Sequence, residues 1–119
     1  MIKDFTIYRK CDGCVLSSGS SYNPSGLLTF YGDGCAMVDK IADRWQYVKN
    51  GVVVNRPKFE LVIDDLKVYN IPNGSFVCVD GRPVGKCNTG EITLHKENIE
   101  DTVTILFSLF PYIDKEVKL

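Results

Sequence analysis

Hydrophobic and polar residues alternate with a period of two along most of this chain, and helical periodicity is almost absent. Ile2 to Arg9 carries Phe5 and Ile7 on one face and Thr6 and Tyr8 on the other, the pattern of a strand. Asp12-Gly13 stands between Cys11 and Cys14; both residues tolerate the positive φ of a type I′ turn, so a hairpin returning through Val15 and Leu16 is predicted. Ser17 to Ser25, with Gly19, Asn23 and Pro24, has loop composition. Leu27–Tyr31 and Cys35–Val38 read as strands around Gly32-Asp33-Gly34. Asp39–Arg44 is the one stretch where a helical turn fits, although six residues do not make a stable helix alone. Trp45–Val48 and Val52–Val54 flank Asn50-Gly51, the dipeptide best suited to a two-residue hairpin.

Arg56-Pro57 closes that hairpin, because proline cannot donate to a ladder and restricts the residue before it. The boundary between two units is placed there, giving 1–57 and 58–119. In the second unit, strands are predicted at Phe59–Ile63, Lys67–Ile71, Ser75–Val79, near Val84, and at Glu91–Lys96, Thr102–Phe110 and Ile113–Leu119. Thr102–Phe110 has the clearest alternation, with Val103, Ile105, Phe107 and Leu109 along one face. Short strands with a turn about every ten residues fit a sandwich or small barrel, and the strand count fits a minimal immunoglobulin-like sandwich. The predicted fold class is therefore all-β: an N-terminal hairpin-rich β unit packed with a C-terminal Ig-like β-sandwich. The first unit is near the lower size limit for an independent core, so it is expected to lean on the second unit or on a partner.

Composition narrows the function more than the fold. Hydrophobic residues make up 45% of the 119, enough for a packed core. The net charge is −1, and the 14 basic residues are scattered rather than striped. No part of the sequence builds the field that phosphate binding needs, so a nucleic-acid partner is not expected. The longest apolar stretch, inside Val103–Phe110, is broken by Thr104 and Ser108 and is far shorter than a membrane span. The opening residues Met1 to Thr6 lack the apolar segment of an export leader, so synthesis and retention in the cytoplasm are expected unless the chain leaves within a larger particle. The five cysteines are an odd number, which in a reducing compartment favours free thiols over a disulfide framework.

Few residues offer chemistry. Cys11-x-x-Cys14 has the spacing of half a zinc knuckle, in which two thiolates on one turn reach the same ion. The other half is missing: Cys78 and Cys87 are nine apart, Cys35 stands alone, and His95 is the one histidine. Cys11 and Cys14 are thus the candidates for a metal or redox role, but a thioredoxin-like pair would need a helix N-terminus to lower its thiol pKa. His95 falls opposite Ile92 and Leu94, on the solvent face of its strand. Asp64 and Asp65 point to opposite faces if extended, so they do not form a carboxylate pair. Nucleophile-elbow, phosphate-loop and dinucleotide patterns are absent. No catalytic residue, cofactor or small-molecule substrate is predicted. What remains is surface: among Tyr22, Phe30, Tyr31, Trp45, Tyr47, Tyr69 and Tyr112, those left exposed would serve an interface, where Tyr and Trp are enriched.

Two segments resemble small tailed-bacteriophage proteins encoded among virion structural genes. Gln46–Pro57, QYVKNGVVVNRP, is similar to the aromatic strand, glycine turn, valine-rich strand and Arg-Pro stop that close the N-terminal unit of those proteins. Phe110–Val117, FPYIDKEV, is similar to their ending, which follows a hydrophobic strand like Thr102–Leu109. Between them, Val79-Asp80-Gly81 and Gly90–Leu94 match the family's strand–turn–strand order, while the cysteines depart from it. The resemblance implies a non-enzymatic virion subunit, a tail or tail-fibre adaptor in several symmetric copies that touches other virion proteins. Such a subunit assembles in the host bacterial cytoplasm. A head-decoration protein is a variant of that reading, and a Cys-based zinc or redox module is the alternative from another class.

Overall fold

In the computed structural model, which describes every residue except Glu97 and Ile99, 49% of the chain is strand and 5% is helix, so the fold is all-β. The chain divides at the Arg56-Pro57 peptide into two compact units, Met1–Arg56 and Pro57–Leu119.

The first unit contains β1 (Lys3–Arg9), β2 (Val15–Ser21), α1 (Pro24–Thr29), β3 (Cys35–Val38), β4 (Gln46–Lys49) and β5 (Val52–Asn55). β1 is the centre of an antiparallel sheet ordered β2-β1-β3, and β4 and β5 form a separate hairpin. Three consecutive residues of β1, Phe5, Thr6 and Ile7, are buried, so both faces of the strand are covered. The alternation alone predicts only one buried face.

The cover over Thr6 comes from residues 39–44, which are not a helical turn but an irregular strap. Thr6 Oγ1 donates to the Lys40 carbonyl at 2.5 Å and accepts from the Ala42 N–H at 2.9 Å. Ser18, the register partner of Thr6, donates its hydroxyl to the Ala42 carbonyl at 2.8 Å. A single helical turn has too few internal bonds to persist; here side chains of the sheet satisfy the strap's peptide groups instead.

Two other expectations for this unit give way. Leu27–Tyr31, predicted as a strand, falls mostly in α1: Asn23 Oδ1 accepts from the Gly26 N–H at 3.2 Å, and Pro24 occupies the first turn. Asparagine followed by proline is a helix start, which outweighs the short apolar run after it. Ser17–Ser25, predicted as a loop, is β2 as far as Ser21, since backbone pairing to β1 needs no apolar side chains.

The turn at Asp12-Gly13 is not type I′. Gly13 has φ of 78°, but Asp12 is not among the positive-φ residues. The connection is longer, closed by Arg9 N–H to Cys14 O at 2.9 Å and Gly13 N–H to Arg9 O at 2.8 Å. Asn50-Gly51, with φ of 53° and 76°, makes the expected tight turn between Lys49 and Val52.

The second unit contains β6 (Val62–Asp64), β7 (Lys67–Tyr69), β8 (Ser75–Val79), β9 (Arg82–Cys87), β10 (Glu91–Thr93), β11 (Thr104–Ser108) and β12 (Lys115–Lys118). They form two antiparallel sheets, β10-β7-β6 and β12-β11-β8-β9, and the chain changes sheet between β7 and β8, β9 and β10, and β10 and β11. Both sheets contribute to one cluster of buried residues, with Val68 from the smaller and Val77, Cys87, Ile105, Phe107 and Val117 from the larger. Phe59 precedes β6 and fills this core rather than opening a strand; its ring lies 6.3 Å from that of Phe107 and stacks on Tyr112 at 4.9 Å. Each such side chain contributes on the order of 1.5–3 kcal/mol by leaving water. Most of the predicted strands are present but shortened, while Phe59–Ile63 gives way to Val62–Asp64 and the strand near Val84 extends over Arg82–Cys87.

Candidate interaction surface

The Cys11–Cys14 turn is organised around Asp12. Its carboxylate accepts from Arg9 Nη2 at 2.7 Å, Arg9 Nε at 3.2 Å and the Cys14 N–H at 2.9 Å. The hydrogen bond from Asp12, with its negative charge, raises the pKa of the exposed Arg9 guanidinium above its ordinary value. Gly13 then presents its carbonyl to the Val48 N–H at 3.0 Å, docking β4 against the turn. A Cβ at Gly13 would stand 1.9 Å from the Val48 oxygen. The spacing of the two thiols therefore serves a backbone junction. Cys11 is exposed and Cys14 half-buried, and both are free thiols. Among the described residues no three His, Cys, Asp or Glu side chains gather as a donor set for a metal.

The remaining polar candidates also stand apart. His95 is exposed beyond the end of β10. Asp64 ends β6, and Asp65 occupies the following turn with φ of 53°. A depression lined by Asp64, Asp65, Leu66, Lys67, Tyr69, Thr93 and Leu94 brings these carboxylates near Lys67, the register partner of Asp64.

The exposed aromatic residues are more numerous in the first unit. In the second, Tyr69 and Tyr112 are half-buried and Phe76 is 45% exposed. In the first, Tyr47 is half-buried, but Tyr22 is 75% exposed, Phe30 88%, Tyr31 42% and Trp45 46%. Trp45 is covered on one side by the Arg44 guanidinium, 4.5 Å from its ring centre, a cation–π contact. Phe30 caps the C-terminal end of α1, its N–H bonded to Leu27 O at 3.1 Å, and the side chain has nowhere to bury. Beside it, Tyr31 and Leu16 line a mainly apolar groove whose margins are Arg9, Lys10, Cys11, Gly34 and Cys35.

All four exposed aromatics of the first unit belong to the set that the sequence marks as interface candidates, but the placing of Tyr22, Phe30 and Tyr31 at the two ends of α1 depends on a helix that apolar patterning does not reveal. The signal that does is Asn23-Pro24, a cap and first-turn pair. Comparison of the chain with protein-family models, curated proteins and solved structures found no match.

Proposed function

We propose that this chain is a non-enzymatic interaction subunit, and that the assembly it belongs to is a tailed-bacteriophage particle, with the tail or tail-fibre region as its place. The observation that carries the interaction reading is the apolar surface around α1, where Tyr22, Phe30 and Tyr31 remain in solvent in a unit too small to bury them. Large solvent-facing aromatic groups contribute strongly when a partner desolvates them.

The phage assignment rests on the resemblance of Gln46–Pro57 and Phe110–Val117. The first of these segments forms the β4–β5 hairpin and its proline stop, and the second runs from the end of β11 into β12. The strand order of the second unit supports an Ig-like description. Numbering β6 to β12 as A to G, one sheet is A-B-E and the other is G-F-C with the fourth strand beside C, an arrangement akin to immunoglobulin-type sandwiches. Such modules serve many roles, so the role comes from the surface and not from the fold.

The test is mass spectrometry and electron microscopy of purified particles from the phage genome that encodes the chain. The expected result is a fixed copy number per particle, with the Phe30 region against a neighbouring protein. Finding the chain free in the cell and absent from the particles overturns the phage reading.

A further inference from the structure

Two free cysteines that are distant in sequence share one groove at the end of the first unit's sheet. β1 and β3 pair antiparallel with Tyr8 opposite Ala36 and Arg9 opposite Cys35. The ladder runs one residue past β1, because the Lys10 N–H donates to the Gly34 carbonyl at 2.9 Å. Hydrogen-bonded and open pairs alternate along such a ladder, so Arg9 and Cys35 form an open pair, the closer kind. Cys11, two residues beyond Arg9, returns to the same face and stands diagonally across from Cys35. The right-handed twist of the strands shortens this diagonal. In keeping with that placement, Cys11 and Cys35 both line the groove beside Leu16 and Tyr31.

Cys14 is nearer to Cys11 in sequence but is placed differently. The Arg9 N–H donates to the Cys14 carbonyl at 2.9 Å, so Cys14 lies on the β2 side of β1 while Cys35 lies on the β3 side. Its N–H is held by the Asp12 carboxylate at 2.9 Å, and its Sγ turns to the Val15 carbonyl, 3.8 Å away. In the second unit, Cys87 is opposite Ser75, and Cys78 is opposite Leu106 on one side and Pro83 on the other. Neither has a cysteine as its register neighbour.

We infer that Cys11 and Cys35 are a peroxide-reactive dithiol site that closes reversibly to a disulfide on the floor of the groove. Cys11 is exposed and meets the oxidant first, whereas Cys35 is half-buried and resolves the product. With hydrogen peroxide, the Cys11 sulfur attacks one oxygen and the O–O bond breaks. The leaving hydroxide takes up the thiol proton as water, and Cys11 is left as a sulfenic acid. The Cys35 sulfur then attacks the Cys11 sulfur, the S–S bond forms, the S–O bond breaks, and a second water leaves with the Cys35 proton. Two thiols have lost two electrons and one peroxide has become two waters. Attack by a small thiol on the disulfide reverses the change.

Diagonal neighbours on an untwisted ladder have Cα atoms about 7–8 Å apart, and a disulfide spans up to about 6.8 Å. Closure therefore needs a small approach of the two strand ends. Cys11 sits in an exposed turn, and Gly34, just before Cys35, has no atom within 4 Å of where a Cβ would stand, so both ends have room for it. The bond encloses β2 and α1 in one covalent loop and fixes the groove beneath Tyr31.

The experiment is peptide mapping of the folded full chain after treatment with hydrogen peroxide and alkylation of the remaining thiols. Cleavage before Asp12 and Asp33 places Cys11, Cys14 and Cys35 on three separate peptides. The expected product is the Cys11 peptide joined to the Cys35 peptide and lacking the two thiol hydrogens, with Cys14 alkylated and the chain still a monomer on a non-reducing gel. Cys14→Ser is expected to leave this linkage in place. Cys35→Ser is expected to abolish it and to leave Cys11 as a sulfenic acid that a cyclic diketone traps. Cys11 joined to Cys14, a Cys35 that stays fully alkylated after Cys11 is oxidised, or a bond between two molecules overturns the inference. None of these outcomes depends on the chain belonging to a virion.

Discussion

The two units of this protein are similar in length but are held together by different means. The second, Pro57–Leu119, closes two sheets over a common cluster in which Ile105, Phe107 and Val68 have no exposed surface. The first, Met1–Arg56, buries few large side chains, chiefly Phe5, Ile7 and Val48, and relies on directed polar contacts. Thr6 and Ser18 tie the strap to the sheet, and Gly13 ties β4 to the first turn. Apolar burial is non-directional and tolerates small shifts, whereas a hydrogen-bonded junction depends on individual atoms. The unit with the smaller core also leaves more aromatic residues outside: Tyr22, Phe30, Tyr31 and Trp45 are exposed there, against Phe76 in the second.

The sharpest way to probe this contrast is to remove one core ring. Phe107→Ala empties a site that is 0% exposed and is expected to destabilise the second unit by about 3–5 kcal/mol, read by urea unfolding. Amide exchange followed residue by residue decides the comparison. Loss of protection confined to Pro57–Leu119 supports two modes of stabilisation, and equal loss in both units breaks the distinction.

Gly13→Ala is next in size. The added methyl meets the Val48 carbonyl and the backbone is held at φ of 78°, so a loss of at least about 2 kcal/mol is expected. Gly51→Ala is its control: φ is 76° but no atom lies within 4 Å of the new Cβ, so only the conformational penalty of about 1 kcal/mol applies. Equal losses at the two glycines would refute the junction at Gly13.

Thr6→Val keeps the shape but leaves the Ala42 N–H and Lys40 carbonyl without their partner, at a cost of about 1–3 kcal/mol in thermal or chemical denaturation. Accelerated exchange at Ala42 locates the effect. Phe30→Ser stands last for stability. An exposed substitution of this kind is expected to change folding by no more than about 0.5 kcal/mol, yet it removes the most exposed aromatic side chain of the first unit. Unchanged incorporation into a particle would show that α1 is not the contact.

Much of this was legible in the sequence because it rests on local rules. The period-two runs of Ser75–Val79 and Thr104–Ser108 mark strands wherever they are placed, and Asn50-Gly51 and Asp80-Gly81 have the φ values that tight turns require. Asn23-Pro24 also stated its meaning locally, but the apolar residues after it matched a strand as readily as a single helical turn. Asp12-Gly13 shows the limit of a dipeptide rule. The carboxylate of Asp12 engages Arg9 and the Cys14 N–H, and the resulting longer turn displaces the tight one.

The sequence by itself therefore determined the all-β character, the main hairpins, the inner face of the Thr102–Phe110 segment and the set of aromatic residues able to serve an interface. Only the tertiary structure decided that Thr6 is buried, that residues 39–44 form a strap, that Cys11 and Cys14 frame a backbone junction, and that Tyr31 and Leu16 line one groove. The division has one physical cause. Backbone propensity and side-chain alternation act between near neighbours, whereas these contacts join residues up to 36 positions apart, where local pattern carries no information about the partner.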